Sequence, residues 1–272
     1  MSKIQNLINA VINEKEIIPY INLDKNNKYL GWVYDFNLNL PNGEKMSLDL
    51  KKEHDLFLLF ILASAWSRSG YWEDAAYFVT YIKSFSKGYK NYKEYWQNDK
   101  NIDNEIKNRK ENAVKVSNIC KGILQRKTVS FRKDYYLSIK VLASNWDEIL
   151  YNLKKSEIDN NFLIFIKYIR SIKGLGMRNN RMNIKIPLIL RELRCQKIYN
   201  NILGEYCCVP DERVNDAVKD IGIEIIKKNS KKIIDDYSLN KTLKASKFIY
   251  DNFGDLYDIP LFAYEDLKKY NI

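Results

Sequence analysis

Lys185 and Asp211 are the two side chains whose types and settings suit them to covalent chemistry as a pair. Behind Lys185, the apolar residues Ile186, Ile189, Leu190 and Leu193 recur at helical spacing, and Pro187 is tolerated best in a first turn. The spacing therefore predicts a helix beginning near Lys185, with the lysine at its N-terminal edge. A helix's positive end and partial burial both favour the neutral amine, which is the nucleophilic form. Asp211 follows Pro210 and precedes a second stripe, Val214, Ala217, Val218 and Ile221, which predicts an N-cap aspartate. A carboxylate so held can accept a proton from an amine and stabilise developing positive charge. Taken singly, each residue also has a plain reading, as one lysine of many and as a simple cap.

Ahead of Lys185 lie Gly174, Leu175 and Gly176, which follow the apolar Phe165, Ile169 and Ile172. Two glycines here allow positive φ and a close approach of the backbone to another chain. A turn of this kind can aim backbone N–H groups at a phosphate without reading base sequence. It can equally be a glycine that ends a helix. Arg178 stands two residues beyond Gly176.

The net charge of +11 suits a polyanionic partner, although a Lys-, Asn- and Ile-rich composition gives the same balance without one. Cys120, Cys195, Cys207 and Cys208 form no C-x-x-C pair, and His54 is the single histidine. Neither a zinc site, an iron–sulfur cluster nor a disulfide framework is suggested, so no metal or other cofactor is expected. His54, between Glu53 and Asp55, reads as a surface helix start. No signal pattern and no apolar run long enough to cross a membrane stand out, so no membrane partner is expected and a cytoplasmic, nucleoid-associated location is.

The elements that must position these residues are almost all helical. Apolar spacing predicts helices over residues 4–17, 72–85, 135–153, 158–172, 215–226 and 240–253, and an all-round apolar, buried central helix over 55–67. The charged stretch 91–127 reads as one long amphipathic helix with a basic outer face. Residues 29–38 read as extended or loop-like, and no alternating β pattern follows Leu40. An all-α fold follows, without repeat or linker.

Gly174 and Gly176, Lys185 opening an apolar helix, and the segment Val209, Pro210, Asp211, Glu212, Arg213 and Val214 together resemble the helix-hairpin-helix DNA glycosylases. The archaeal 8-oxoguanine DNA glycosylase family is the nearest in layout. That resemblance implies two helical subdomains flanking a cleft, residues 52–198 ending in the hairpin motif and residues 1–51 with 199–272, within a single unit of 1–272. It implies excision of 8-oxoguanine from DNA with β-elimination through a lysine Schiff base, by a monomer acting on double-stranded DNA that carries a damaged base. Lys185 and Asp211 become the catalytic pair, Gly174, Gly176 and Arg178 the DNA contacts, and Trp66, Phe262 and Tyr264 the base pocket. Two features depart from the common pattern. Arg178 occupies the position where many hairpins carry the lysine, and Pro210 adjoins Asp211 directly. With Arg178 aligned to that lysine, the chain is a monofunctional glycosylase for another lesion, or a DNA-binding relative without chemistry.

Overall fold

The computed structural model describes residues 3–16, 18, 20–67, 71–85, 90–122, 129–175, 181–222 and 238–268. Among these residues there are eleven α-helices and one two-stranded antiparallel pairing of Leu38–Asn39 (β1) with Lys121–Gly122 (β2), so the protein is mostly α. Its contacts gather in two compact units, Val33–Arg178 and Met1–Trp32 with Asn179–Ile272. In the second of these, charged side chains of the helix ending at Cys195 bind residues 29–32 and 258.

Within Val33–Arg178, the central helix α2 (Glu53–Trp66) is buried without interruption from Asp55 to Ala65, as its all-round apolar composition requires. It packs on α3 (Trp72–Ser84) and α6 (Lys133–Ile158). Aromatic rings key these helices together: Trp146 of α6 meets Phe57 at 5.0 Å and Phe60 at 5.2 Å, both edge-on. The charged stretch is not one helix. Asn98 leaves helical geometry, and its side chain accepts the N–H groups of Lys100 and Asn101, so a short α4 (Tyr92–Gln97) gives way to α5 (Asp99–Ile119). An asparagine that can cap the next turn breaks a stripe that periodicity alone would carry straight through. Cys120 then turns extended and leads into β2, where a Cβ on Gly122 would lie 2.5 Å from the Asn37 carbonyl oxygen. Helix α6 runs to Ile158 and α7 spans Leu163–Ser171, joined by a turn in which Asn160 takes φ +47°.

The other unit comprises α1 (Lys3–Asn13), α8 (Arg181–Cys195), α9 (Glu212–Asp220), α10 (Leu239–Phe253) and α11 (Ile259–Lys268). Helix α8 begins earlier than Pro187 predicts. Pro187 stands inside the helix and Lys185 in its second turn, not at its edge. A proline there gives up one backbone hydrogen bond at a cost of about 3 kcal/mol. Burial of every described side chain from Met182 to Leu193 offsets that cost, because tertiary packing carries most helix stability.

One buried acid tests the packing of α2. Asp55 accepts the Asp49 N–H at 2.8 Å and the Lys83 ammonium at 2.8 Å. Burial works to raise its pKa, but the neighbouring His54 ring and hydrogen bonds from Lys83 and the Asp49 backbone outweigh it and hold the carboxyl below its ordinary value. A depressed native value means that Asp55 stabilises the fold above the ordinary aspartate range and stops doing so as pH falls through the native value. The Asp55→Asn protein should therefore unfold more easily than wild type at pH 7, and the gap should close below pH ~4. Urea unfolding across pH measures it, and a gap that stays constant into acid would refute the assignment.

Candidate active site

Lys185 and Asp211 meet: Nζ of the lysine stands 3.3 Å from Oδ2 of the aspartate. The lysine side chain is 7% exposed and the aspartate 20%, so the pair is reached from the aspartate's side. Lys185 is carried inward by α8. Asp211 is the N-cap of α9, with extended backbone, and its Oδ1 accepts the Val214 N–H at 3.1 Å. The two carboxylate oxygens thus divide their work, one on the helix and one toward the amine.

The segment leading to Asp211 is pinned residue by residue. A 3₁₀ turn at Gly204–Tyr206 passes beneath Tyr250, where a Cβ on Gly204 would lie 2.2 Å from the ring. Cys208 then gives its N–H to Ser246 Oγ at 3.0 Å, and Val209 gives its N–H to Asp258 Oδ1 at 2.9 Å. Asp258 also binds Arg191 of α8 at 2.6 Å, with both side chains almost fully buried. The neighbouring Glu192, also inside, accepts the Trp32 N–H at 3.0 Å. Gly31 is needed beside it: φ is +83°, and a Cβ would lie 2.5 Å from Glu192 Oε2. Sequence reasoning passed over Arg191, Glu192 and Asp258, although two charges inside an apolar helical run were a legible sign of a buried ionic centre.

The other expected site residues are placed as follows. Gly174 takes φ +87° in the turn after α7 and lies against Val141. Gly176 and Arg178 fall outside the described residues. Trp66, in the unit Val33–Arg178, rests against Trp72 with ring centroids 5.0 Å apart. Phe262 has the Arg213 guanidinium 4.4 Å from its ring centre and Tyr20 edge-on at 5.2 Å. Arg213 and Tyr20 both donate to Asp266, and burial together with that carboxylate raises the Tyr20 pKa above the ordinary phenol value. Tyr264 has the Lys268 ammonium 4.3 Å from its ring centre. Stacking of a base on the occupied face of Phe262 or Tyr264 would therefore have to displace a cation.

The cysteines offer no alternative nucleophile. Burial pushes Cys195 up to about 12, with Glu192 adding to it, and raises Cys120, Cys207 and Cys208 as well. Among the described residues no cluster of His, Cys, Asp and Glu could hold a metal ion, and no helix is long and apolar enough to cross a membrane. No family model, curated protein or solved structure matches the chain.

The divided carboxylate gives a measurable contrast. Asp211→Asn keeps an oxygen for the Val214 N–H, whereas Asp211→Ala loses the cap. Denaturant unfolding should place the alanine variant about 1 kcal/mol below the asparagine variant. Equal stabilities would show that Asp211 does not cap α9.

Proposed function

We propose that the protein is a DNA glycosylase of the helix-hairpin-helix kind that excises 8-oxoguanine and cleaves the abasic strand by β-elimination, with Lys185 as nucleophile. The observation that carries this reading is the contact at 3.3 Å between a buried lysine and an N-cap aspartate, brought together from two different helices. A buried amine needs polar partners for its charge, and a carboxylate in contact with it can also take its proton.

In this reading the chain carries a helix-hairpin-helix motif. Gly174, Gly176 and Arg178 hold the phosphate backbone and Trp66, Phe262 and Tyr264 line the base pocket. The damaged nucleotide is extruded from double-stranded DNA at a cost of roughly a few kcal/mol. Asp211 takes a proton from Lys185, and the freed lone pair forms a bond to C1′ while the C1′–N9 bond breaks. The electron pair of that bond leaves with the base, which takes up the proton that Asp211 removed from Lys185 and so returns Asp211 to its carboxylate form. Ring opening then gives the C1′ Schiff base, loss of a C2′ proton expels the 3′ phosphate, and the Asp211 carboxylate offsets the positive charge that develops on the sugar.

Borohydride trapping on a duplex carrying 8-oxoguanine decides the matter. Wild type should form a covalent adduct, and Lys185→Gln should abolish it while still binding the duplex. An adduct that survives Lys185→Gln removes this lysine from the mechanism. Base release without any adduct makes the enzyme monofunctional, and binding with neither makes it a non-catalytic DNA-binding protein.

A further inference from the structure

Lys185 and Asp211 are 26 residues apart in sequence and share no element, so something must hold their elements in register. One carboxylate oxygen touches both, beside other links such as Arg194 Nη1 of α8 on the Ile202 carbonyl at 2.6 Å. Asp258 Oδ1, in a side chain 3% exposed, accepts Arg191 Nη1 at 2.6 Å and the Val209 N–H at 2.9 Å. Arg191 lies on the helix that carries Lys185, and Val209 lies two residues before Asp211. Between Val209 and Asp211 stands Pro210, whose fixed φ leaves the connection little slack. The Cys208 N–H on Ser246 secures the same strand of chain one residue earlier.

We infer that Asp258 is a positioning residue that sets the separation of Lys185 from Asp211 by binding α8 and the approach to α9 through one carboxylate oxygen. The inference rests on the reading of Lys185 and Asp211 as the reacting pair. It assigns to Asp258 no contact with the substrate. Its effect is geometric: a shift of the 207–211 segment against α8 moves Asp211 relative to the amine, and misplacements of about 1 Å cost up to about a hundredfold in rate.

Two variants test it, Asp258→Asn and Arg191→Met/Asp258→Asn. The asparagine oxygen can still accept the Val209 N–H, and the double variant removes the guanidinium that Asp258→Asn alone leaves without its carboxylate, with Glu192 keeping the Trp32 N–H. Each folded variant is measured by single-turnover trapping, by affinity for the lesion duplex, and, without DNA, by reductive methylation of Lys185 with formaldehyde and borohydride followed by mass spectrometry. The expected result is a single-turnover rate lowered about tenfold or more, with unchanged duplex affinity. Faster methylation of Lys185, with the other lysines unaffected, should accompany it. A folded variant with wild-type rate and wild-type Lys185 methylation overturns the inference, as does equally faster methylation of partly covered lysines such as Lys83, which marks general loosening. Should wild type trap nothing while Lys185 methylation still responds selectively to Asp258→Asn, the glycosylase reading fails and the positioning role stands.

Discussion

The buried ion pair between Arg191 and Asp258 is the constraint on which the unit holding Lys185 and Asp211 depends. Both side chains are almost fully excluded from water, where a lone charge is expensive, and removal of one member of such a pair typically costs about 3–5 kcal/mol. Hydrogen bonds and a ring contact around the pair offset part of the desolvation. Asp258 takes the Val209 N–H as well as the guanidinium, and Arg191 lies 5.4 Å from the centre of the Tyr29 ring. Glu192 follows on the same helix and accepts the Trp32 N–H, so residues 29–32, α8, the 207–211 segment and the start of α11 all meet at one ionic centre. Apolar residues of equal volume could fill this space with equal or greater stability. What they could not do is fix the direction in which the chain leaves Val209, because that direction is set by a hydrogen bond.

This centre also explains why α8 tolerates Pro187. An isolated helix would break or start there, and periodicity together with a proline therefore points to a start near Lys185. In the fold, the turn containing Asn183 and Lys185 is held from outside, by burial on all sides and by the charged residues one to two turns further on. The consequence for Lys185 is more than one of register. At a helix edge the lysine would look into solvent with the helix dipole behind it. In the second turn it is enclosed, and its surroundings are governed by Asp211.

Much of the architecture was legible in the sequence because it depends on local pattern. The apolar run of α2, the stripe of α9 with Asp211 as its cap, and the all-α class all follow from spacing and capping rules that need no knowledge of distant residues. The misread parts are those where a single polar side chain or a distant contact outweighs pattern. Asn98 stops a helix that its neighbours would continue, by offering its own oxygen to the next turn. Phe262 is expected to line a base pocket, yet Arg213, on another helix, lies 4.4 Å from its ring centre. The meeting of Lys185 with Asp211 was inferred from their order along the chain, but the residue that joins their elements lies 49 positions beyond Val209 and no local rule points to it.

A lysine and an aspartate in contact are common, and most such pairs at surfaces contribute little. The pair here differs in the way its two members are held. The aspartate cannot follow the lysine freely, since its other oxygen is committed to the Val214 N–H and its backbone to Pro210 on one side and α9 on the other. The lysine cannot swing outward without leaving a buried helix face. Two groups immobilised independently and yet placed within proton-transfer range have lost in advance the freedom that a reaction between them would otherwise have to remove. A structural salt bridge gains from that preorganisation too, since less side-chain entropy is lost in forming it. The proton transfer from amine to carboxylate that the proposed mechanism requires gains from it in the same way, through the rigidity supplied by Asp258 and Pro210.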